Sequence, residues 1–145
     1  MKNSSVLGGL AGAAALTLLH EGIKQVDSKA PRMDLLGMNA LSKILRGLGK
    51  TPPPEDRLYV YTMAGDLISN ALYYSLAGMG NKKTILEKGA ALGIAAGLGA
   101  IFLPKPLHLN EQYSNRTTHT QIMTVAYYLI GSLIASALIK KLRKN

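Results

Sequence analysis

Three residues in this chain have the type and setting for acid–base chemistry: His20, Glu21 and Asp66. Each lies within or at the end of an otherwise apolar stretch. Asp66 falls nine residues after Arg57 in a block running from Arg57 to Gly78, ~13 Å along a helix from its start. A carboxyl group at that depth is expensive in hydrocarbon and calls for a partner or a water-filled cavity. Asn70, one turn later, shares its face, with Ser69 and Tyr73 nearby. Two readings follow: a polar strip serving a site or pathway, or a clasp tying helices together.

His20 and Glu21 are adjacent near the end of the first apolar block, so their side chains diverge by ~100° on a helix. Proton exchange between His20 and Asp66 is chemically sensible, because burial drives both towards the neutral form. Arg32, Asp34, Asn70, Arg116, His119, Gln121 and Thr124 are candidate ligand contacts. If the chain crosses a membrane four times, all of these polar residues gather in one leaflet.

Other chemistries are poorly served. The chain has no cysteine, which excludes thiolate metal sites, iron–sulfur clusters and cysteine nucleophiles. His20 and Glu21 cannot both point inward, and no HExxH or HxxxH pair shares a helix, so neither a metal nor a cofactor is expected. Ser69 and Thr124 are available hydroxyls, but neither sits in a GxSxG turn.

The elements that must position these residues follow from the distribution of apolar residues. The chain has 145 residues, 48% of them hydrophobic, and a mean hydropathy of +0.13. That average mixes very apolar blocks with charged connectors. The blocks lie at about 5–23, 57–78, 84–103 and 119–139, near the ~20 residues a helix needs to cross hydrocarbon. Met1–Leu19 has the outline of a signal peptide, but no small-x-small pair closes it before His20; it is expected to remain as the first span.

Residues 33–49 differ. Leu36, Leu41, Ile44, Leu45 and Leu48 form a stripe, while Lys43 and Arg46 lie inside the segment. Each charge would cost ~2.5–3.5 kcal/mol at mid-bilayer, so this helix is expected to lie in the interface. A fifth span is the alternative. The predicted fold is an all-α integral membrane protein: a four-helix transmembrane bundle plus one amphipathic interfacial helix, in a single domain covering 1–145.

Small residues mark the helix contacts. Gly89, Gly93 and Gly97 recur on one face, and Gly8 and Gly12 repeat the spacing in the first block. This GxxxG pattern predicts close packing, with the first and third blocks as reasonable partners.

The net charge of +9 does not point to nucleic acid. Trp is absent, Phe occurs once, and Lys and Arg gather at block ends, where lipid headgroups lie. The expected partners are the bilayer and a second copy or another membrane protein. Eight basic residues fall on the side of the termini and nine on the other. The density of charge beside the last span favours both termini in the cytoplasm, in a bacterial inner membrane.

Two functions fit. The first is a non-enzymatic bundle: transporter-like, ligand-binding or accessory. The second is a small membrane-embedded enzyme acting on a lipid or amphiphile, with His20, Glu21 and Asp66 as acid–base groups.

Overall fold

The computed structural model describes residues 3–143, and among these the fold is all-helical, without strands. Four long helices, α1 (Asn3–Ile23), α3 (Glu55–Ser75), α4 (Ile85–Phe102) and α6 (Thr118–Leu142), are joined by two shorter ones, α2 (Met33–Gly47) and α5 (Gln112–Asn115). The 3₁₀ turns Leu76–Gly78 and Lys82–Thr84 make the corner between α3 and α4.

Local sequence explains the boundaries. Pro52–Pro54 cannot continue a helix backwards, and Glu55 and Asp56 occupy the first turn of α3, where the helix dipole favours negative charge. Thr117 caps α6, its hydroxyl oxygen accepting the Thr120 N–H at 3.1 Å. The chain after α4 meets Pro104 and Pro106. Ser114 Oγ and Asn115 Nδ2, from α5, donate to the free carbonyls of Ala100 and Ile101 at the end of α4. The four-residue α5 thus finishes α4, a role that spacing alone did not reveal.

Three helical segments are long and apolar enough to cross a membrane: Asn3–Ile23, Lys82–Phe102 and Thr118–Leu142. The fourth expected span, α3, has 21 residues but carries Glu55, Asp56, Arg57 and Asp66, and it falls outside that group.

Helix α6 is the centre of the bundle, with α1 on one side and α4 on another. This corrects the expected pairing of the first and third blocks. Gly8 and Gly12 pack on Ala135, Ile139 and Gly131 of α6, while Gly89, Gly93 and Gly97 pack on Ser136, Ser132, Leu129 and Val125 of the same helix. The physical reason lies in α6, which presents small residues on two faces: Gly131 and Ala135 towards α1, Ser132 and Ser136 towards α4. Two small-residue helices can therefore each approach a third one more closely than they approach each other. Gly9, beside Gly8, serves a different contact, against Ala71 and Ser75 of α3.

Helices α3 and α4, though consecutive, make little contact beyond their shared corner. Helix α2 leans on α3 and on the connector that follows α4.

Candidate functional site

The polar residues that the sequence assigns to one leaflet separate into distinct groups. The first is an ionic network where α1 ends and α2 and α3 begin. Arg32 grips Asp34 with two hydrogen bonds, Nε to Oδ1 at 3.0 Å and Nη2 to Oδ2 at 2.9 Å. Lys24 Nζ lies 3.0 Å from Asp34 Oδ2 and 2.7 Å from Glu21 Oε2. Tyr59 donates its hydroxyl to Glu21 Oε2 at 2.7 Å, and the Lys24 ammonium sits 5.7 Å from the Tyr59 ring centroid.

The Asp34 side chain is only 5% exposed. Burial on its own would raise its pKa, but the hydrogen bonds from Arg32, Lys24 and the Leu35 backbone outweigh it and hold the carboxyl at about 2. For Lys24, burial pulls down while Glu21 and Asp34 push up, and the net shift is upwards. Asp34 is therefore held ionised in its pairs rather than poised to carry a proton, and Glu21 is engaged by Lys24 and Tyr59.

His20 forms no part of that network. It is buried, and neither ring nitrogen has a hydrogen-bond partner. Its ring lies edge-on to Tyr127 and Tyr128 of α6, with centroids 5.0 and 5.9 Å away. Asp66 is bonded by its own helix: Asn70 Nδ2 donates to Asp66 Oδ1 at 2.9 Å and to its carbonyl at 3.0 Å. No hydrogen bond joins His20, Glu21 and Asp66 to one another; each is committed to a different neighbourhood.

The α6 end of the expected cluster is structural in its contacts. His119 Nε2 is 3.0 Å from Asp27 Oδ2. That bond, with one from the Lys29 N–H, keeps the Asp27 carboxyl below its usual range. Thr124 Oγ1 bonds the carbonyls of Ser114 and Thr120, both at 2.8 Å. Gln121 Nε2 reaches the Asn115 carbonyl at 3.5 Å, and Arg116 reaches the Ser28 carbonyl. Four of the ten polar residues singled out in the sequence therefore fasten connectors.

A further feature lies elsewhere, between α3 and α4. There a cleft of about 540 Å³ is walled by Ala95, Ala96, Gly99 and Ala100 of α4, and by Ser69, Asn70 and Tyr73 of α3. Met33 and Leu36 of α2, with Leu103, Leu107 and Leu109 of the connector, close one end, and Tyr128 contributes from α6. Tyr73 bridges the two walls, donating its hydroxyl to the Leu92 carbonyl at 3.0 Å. The connector is fixed over the end of the cleft by Asn39 Oδ1, which accepts the Asn110 N–H at 3.1 Å, by Lys43 on the Leu107 carbonyl, and by the Arg32 N–H on the Tyr113 carbonyl at 2.7 Å.

Of the sequence-assigned ligand contacts, Asn70 lines this cleft, together with its strip neighbours Ser69 and Tyr73. Sequence reasoning missed it because its walls are alanines, a glycine and leucines, which read as ordinary span. One signal was available. Helix α4 carries small residues on two faces, and a second small face with no partner leaves a gap. Lys24 and Tyr59 were also missed as network members, although Glu21 and Lys24 stand at the i, i+3 spacing that supports an ion pair.

Among the described residues, no group of three or more His, Cys, Asp or Glu side chains is placed to hold a metal ion. No family model, no curated protein and no solved structure matches this chain.

Proposed function

We propose that the chain is a four-span membrane protein that binds the apolar chain of a lipid or amphiphile in the cleft between α3 and α4, and that it acts by binding rather than by catalysis. The cleft is the observation that carries this reading. Its volume, about 540 Å³, is within the ~300–1,000 Å³ typical of small-molecule sites. Its walls are mostly apolar, and the polar donors nearby are already used: Asn70 on Asp66, Ser69 on the Asp66 carbonyl, Tyr73 on Leu92. Such a surface suits hydrocarbon better than a headgroup.

Depth supports the same occupant. The α4 wall, residues 95–100, belongs to a helix apolar enough to span, so the medium beside it is acyl chain. Helix α3 suits a fourth span in length, ~31 Å for its 21 residues. It also turns Val60, Ile68 and Leu72 outward while α1 covers its other face. On this reading α2 lies in the interface, where exposed Ile44 and Leu48 meet lipid beside Lys43 and Arg46, and both termini are cytoplasmic. An enzyme built on His20, Glu21 and Asp66 is disfavoured because these groups are bonded separately or not at all.

Photocrosslinking tests the proposal. A phospholipid with a diazirine in its acyl chain should label residues 69–73 and 95–109 above the rest of the surface. Gly99→Leu, which places a side chain in the cleft, should cut that labelling severalfold without unfolding the protein. Uniform labelling of all outward faces, unchanged by Gly99→Leu, would sink the idea.

A further inference from the structure

The apolar cleft has a charged neighbour. A smaller hollow of about 270 Å³ is lined by Ala40, Lys43 and Ile44 of α2 and by Leu107 and Leu109 of the connector. Leu107 and Leu109 also line the α3–α4 cleft. The two spaces therefore share a wall of two leucines.

Lys43 is the charged member of this hollow, and its ammonium is held in place. Its Nζ donates to the Leu107 carbonyl, which puts the cation on the backbone of a cleft-lining residue. Asn39, one turn earlier on the same face of α2, accepts the Asn110 N–H at 3.1 Å. That face thus grips the connector at two points. An ammonium has three N–H donors, and the bond to Leu107 uses one of them. A carbonyl is neutral, so it does not balance the charge. Among the described residues, none of the ion pairs includes Lys43, and the side chain is exposed. A cation without a countercharge, with two N–H groups left, therefore stands at the edge of an apolar cleft.

We infer that the occupant of the cleft is a fatty carboxylate, its chain between α3 and α4 and its carboxylate on the Lys43 ammonium beside Leu107. This rests on the cleft reading and adds the head to it. A carboxylate brings one negative charge and two acceptor oxygens, which match one cation with two donors to spare. The other residues of the hollow are apolar, and a low-dielectric lining strengthens such a pair. A phosphodiester head has bulk on both sides of its charge, and a hollow half the volume of the cleft suits it less well. Depth agrees: with α2 in the interface, Lys43 stands at the level of polar heads, while the α4 wall lies among acyl chains.

The test compares two probes on the full chain in neutral detergent: palmitic acid carrying a diazirine in its chain, and the corresponding alcohol. Labelling of residues 69–73 and 95–109 is followed against probe concentration, at a pH where the acid is ionised. The parent should prefer the acid by about fivefold or more, the contribution of one lysine to an anionic head. Lys43→Gln should bring the acid down to the level of the alcohol and leave the alcohol unchanged. Lys43→Arg should keep the preference, and so should Arg46→Gln, which alters a charge of the same helix outside the hollow. Should Lys43→Gln fail to fold, Ala40→Glu replaces it: a carboxylate one turn before Lys43 pairs with the ammonium internally and should abolish the preference while the chain still binds.

Equal labelling by acid and alcohol in the parent would overturn the inference and leave the cleft reading standing. Equal losses in Lys43→Gln and Arg46→Gln would mean diffuse charge rather than a paired head, and would also overturn it. So would displacement of the acid by phosphatidylglycerol at matching concentration, which would assign the cation to a phosphodiester. Absence of cleft labelling by both probes would sink the cleft reading itself, and the carboxylate with it.

Discussion

Helix α4 shows two faces built from the same small residues with opposite outcomes. On one, Gly89, Gly93 and Gly97 lie against α6 so closely that a Cβ added at Gly93 would sit 2.7 Å from Leu129 Cα, and one at Gly97 2.7 Å from Val125 Cα. The Ser132 hydroxyl crosses this seam to the Gly89 carbonyl at 2.6 Å. On the other, Ala95 and Gly99 line an open cleft towards α3, and a Cβ at Gly99 would meet only Leu103 Cδ1 of its own chain segment, at 3.4 Å. Small residues therefore do not dictate contact. They permit it where the partner is small too, as α6 is at Ser132 and Ser136. They leave a void where the partner is held away, as α3 is by its own packing on α1 through Gly9.

One bulky side chain placed on each face separates the two outcomes most sharply. Gly93→Leu should destabilise the protein by more than about 3 kcal/mol, because the added atoms meet backbone that cannot yield. Gly99→Leu should be within about 1 kcal/mol of the parent, read by thermal unfolding in detergent. Similar losses in both would mean that the cleft is closed in the folded protein.

The ionic network at the α1–α2–α3 junction ties the first turns of α3 to the end of α1 and the start of α2. Asp34→Ala leaves Arg32 and Lys24 facing each other without their shared carboxylate and should cost about 2 kcal/mol. Acid should do the same more gently. The folded-state pKa of Asp34, about 2, lies below that of an ordinary carboxyl. Its contribution is therefore complete above about pH 4 and lost as the pH falls through 2, at most about 2 kcal/mol with the half-exposed Arg32 screened by solvent. Unfolding followed from pH 5 to pH 2 should show the parent converging on Asp34→Asn; parallel curves would mean that the network carries no stability.

A smaller effect is expected at Thr124→Val. It removes one donor from the Ser114 and Thr120 carbonyls and should cost about 1 kcal/mol, measurable by the same unfolding experiment. The smallest concerns His20. Its ring nitrogens are unpartnered among aromatic rings, so His20→Phe should be neutral or stabilise slightly. A loss above about 2 kcal/mol would show that the imidazole makes a polar contact important to the fold.

The helices were legible in the sequence because blocks of apolar residues bounded by Pro, Gly and Lys state their own lengths, and α2 declared itself different through Lys43 and Arg46. The glycine spacing announced close contacts but not the partner, since a face that accepts glycine can belong to any helix with small residues. Gly131, Ala135, Ser132 and Ser136 of α6 were the missing half of that statement. The polar residues were legible as a set but not as pairs. Whether Glu21 meets Lys24 and Tyr59, or His20 meets Asp66, depends on helix rotation, which a hydropathy pattern dominated by apolar residues on all sides leaves open. The cleft was the least legible, because a gap is a property of two helices failing to meet.

The fastening of the connector over the cleft has a consequence for how this protein can change. Asn39, Lys43 and the Arg32 N–H each bind a backbone group of the connector, at Asn110, Leu107 and Tyr113. The side chains of Leu107 and Leu109, which line the cleft, make none of these three hydrogen bonds. Their identity is thus separate from these three bonds: substitutions there can reshape that end of the cleft while the bonds to the connector backbone persist. On the proposed function, drift at the leucine wall is tolerated and retunes the cleft for longer, shorter or branched chains, whereas drift at Asn39 or Lys43 is penalised.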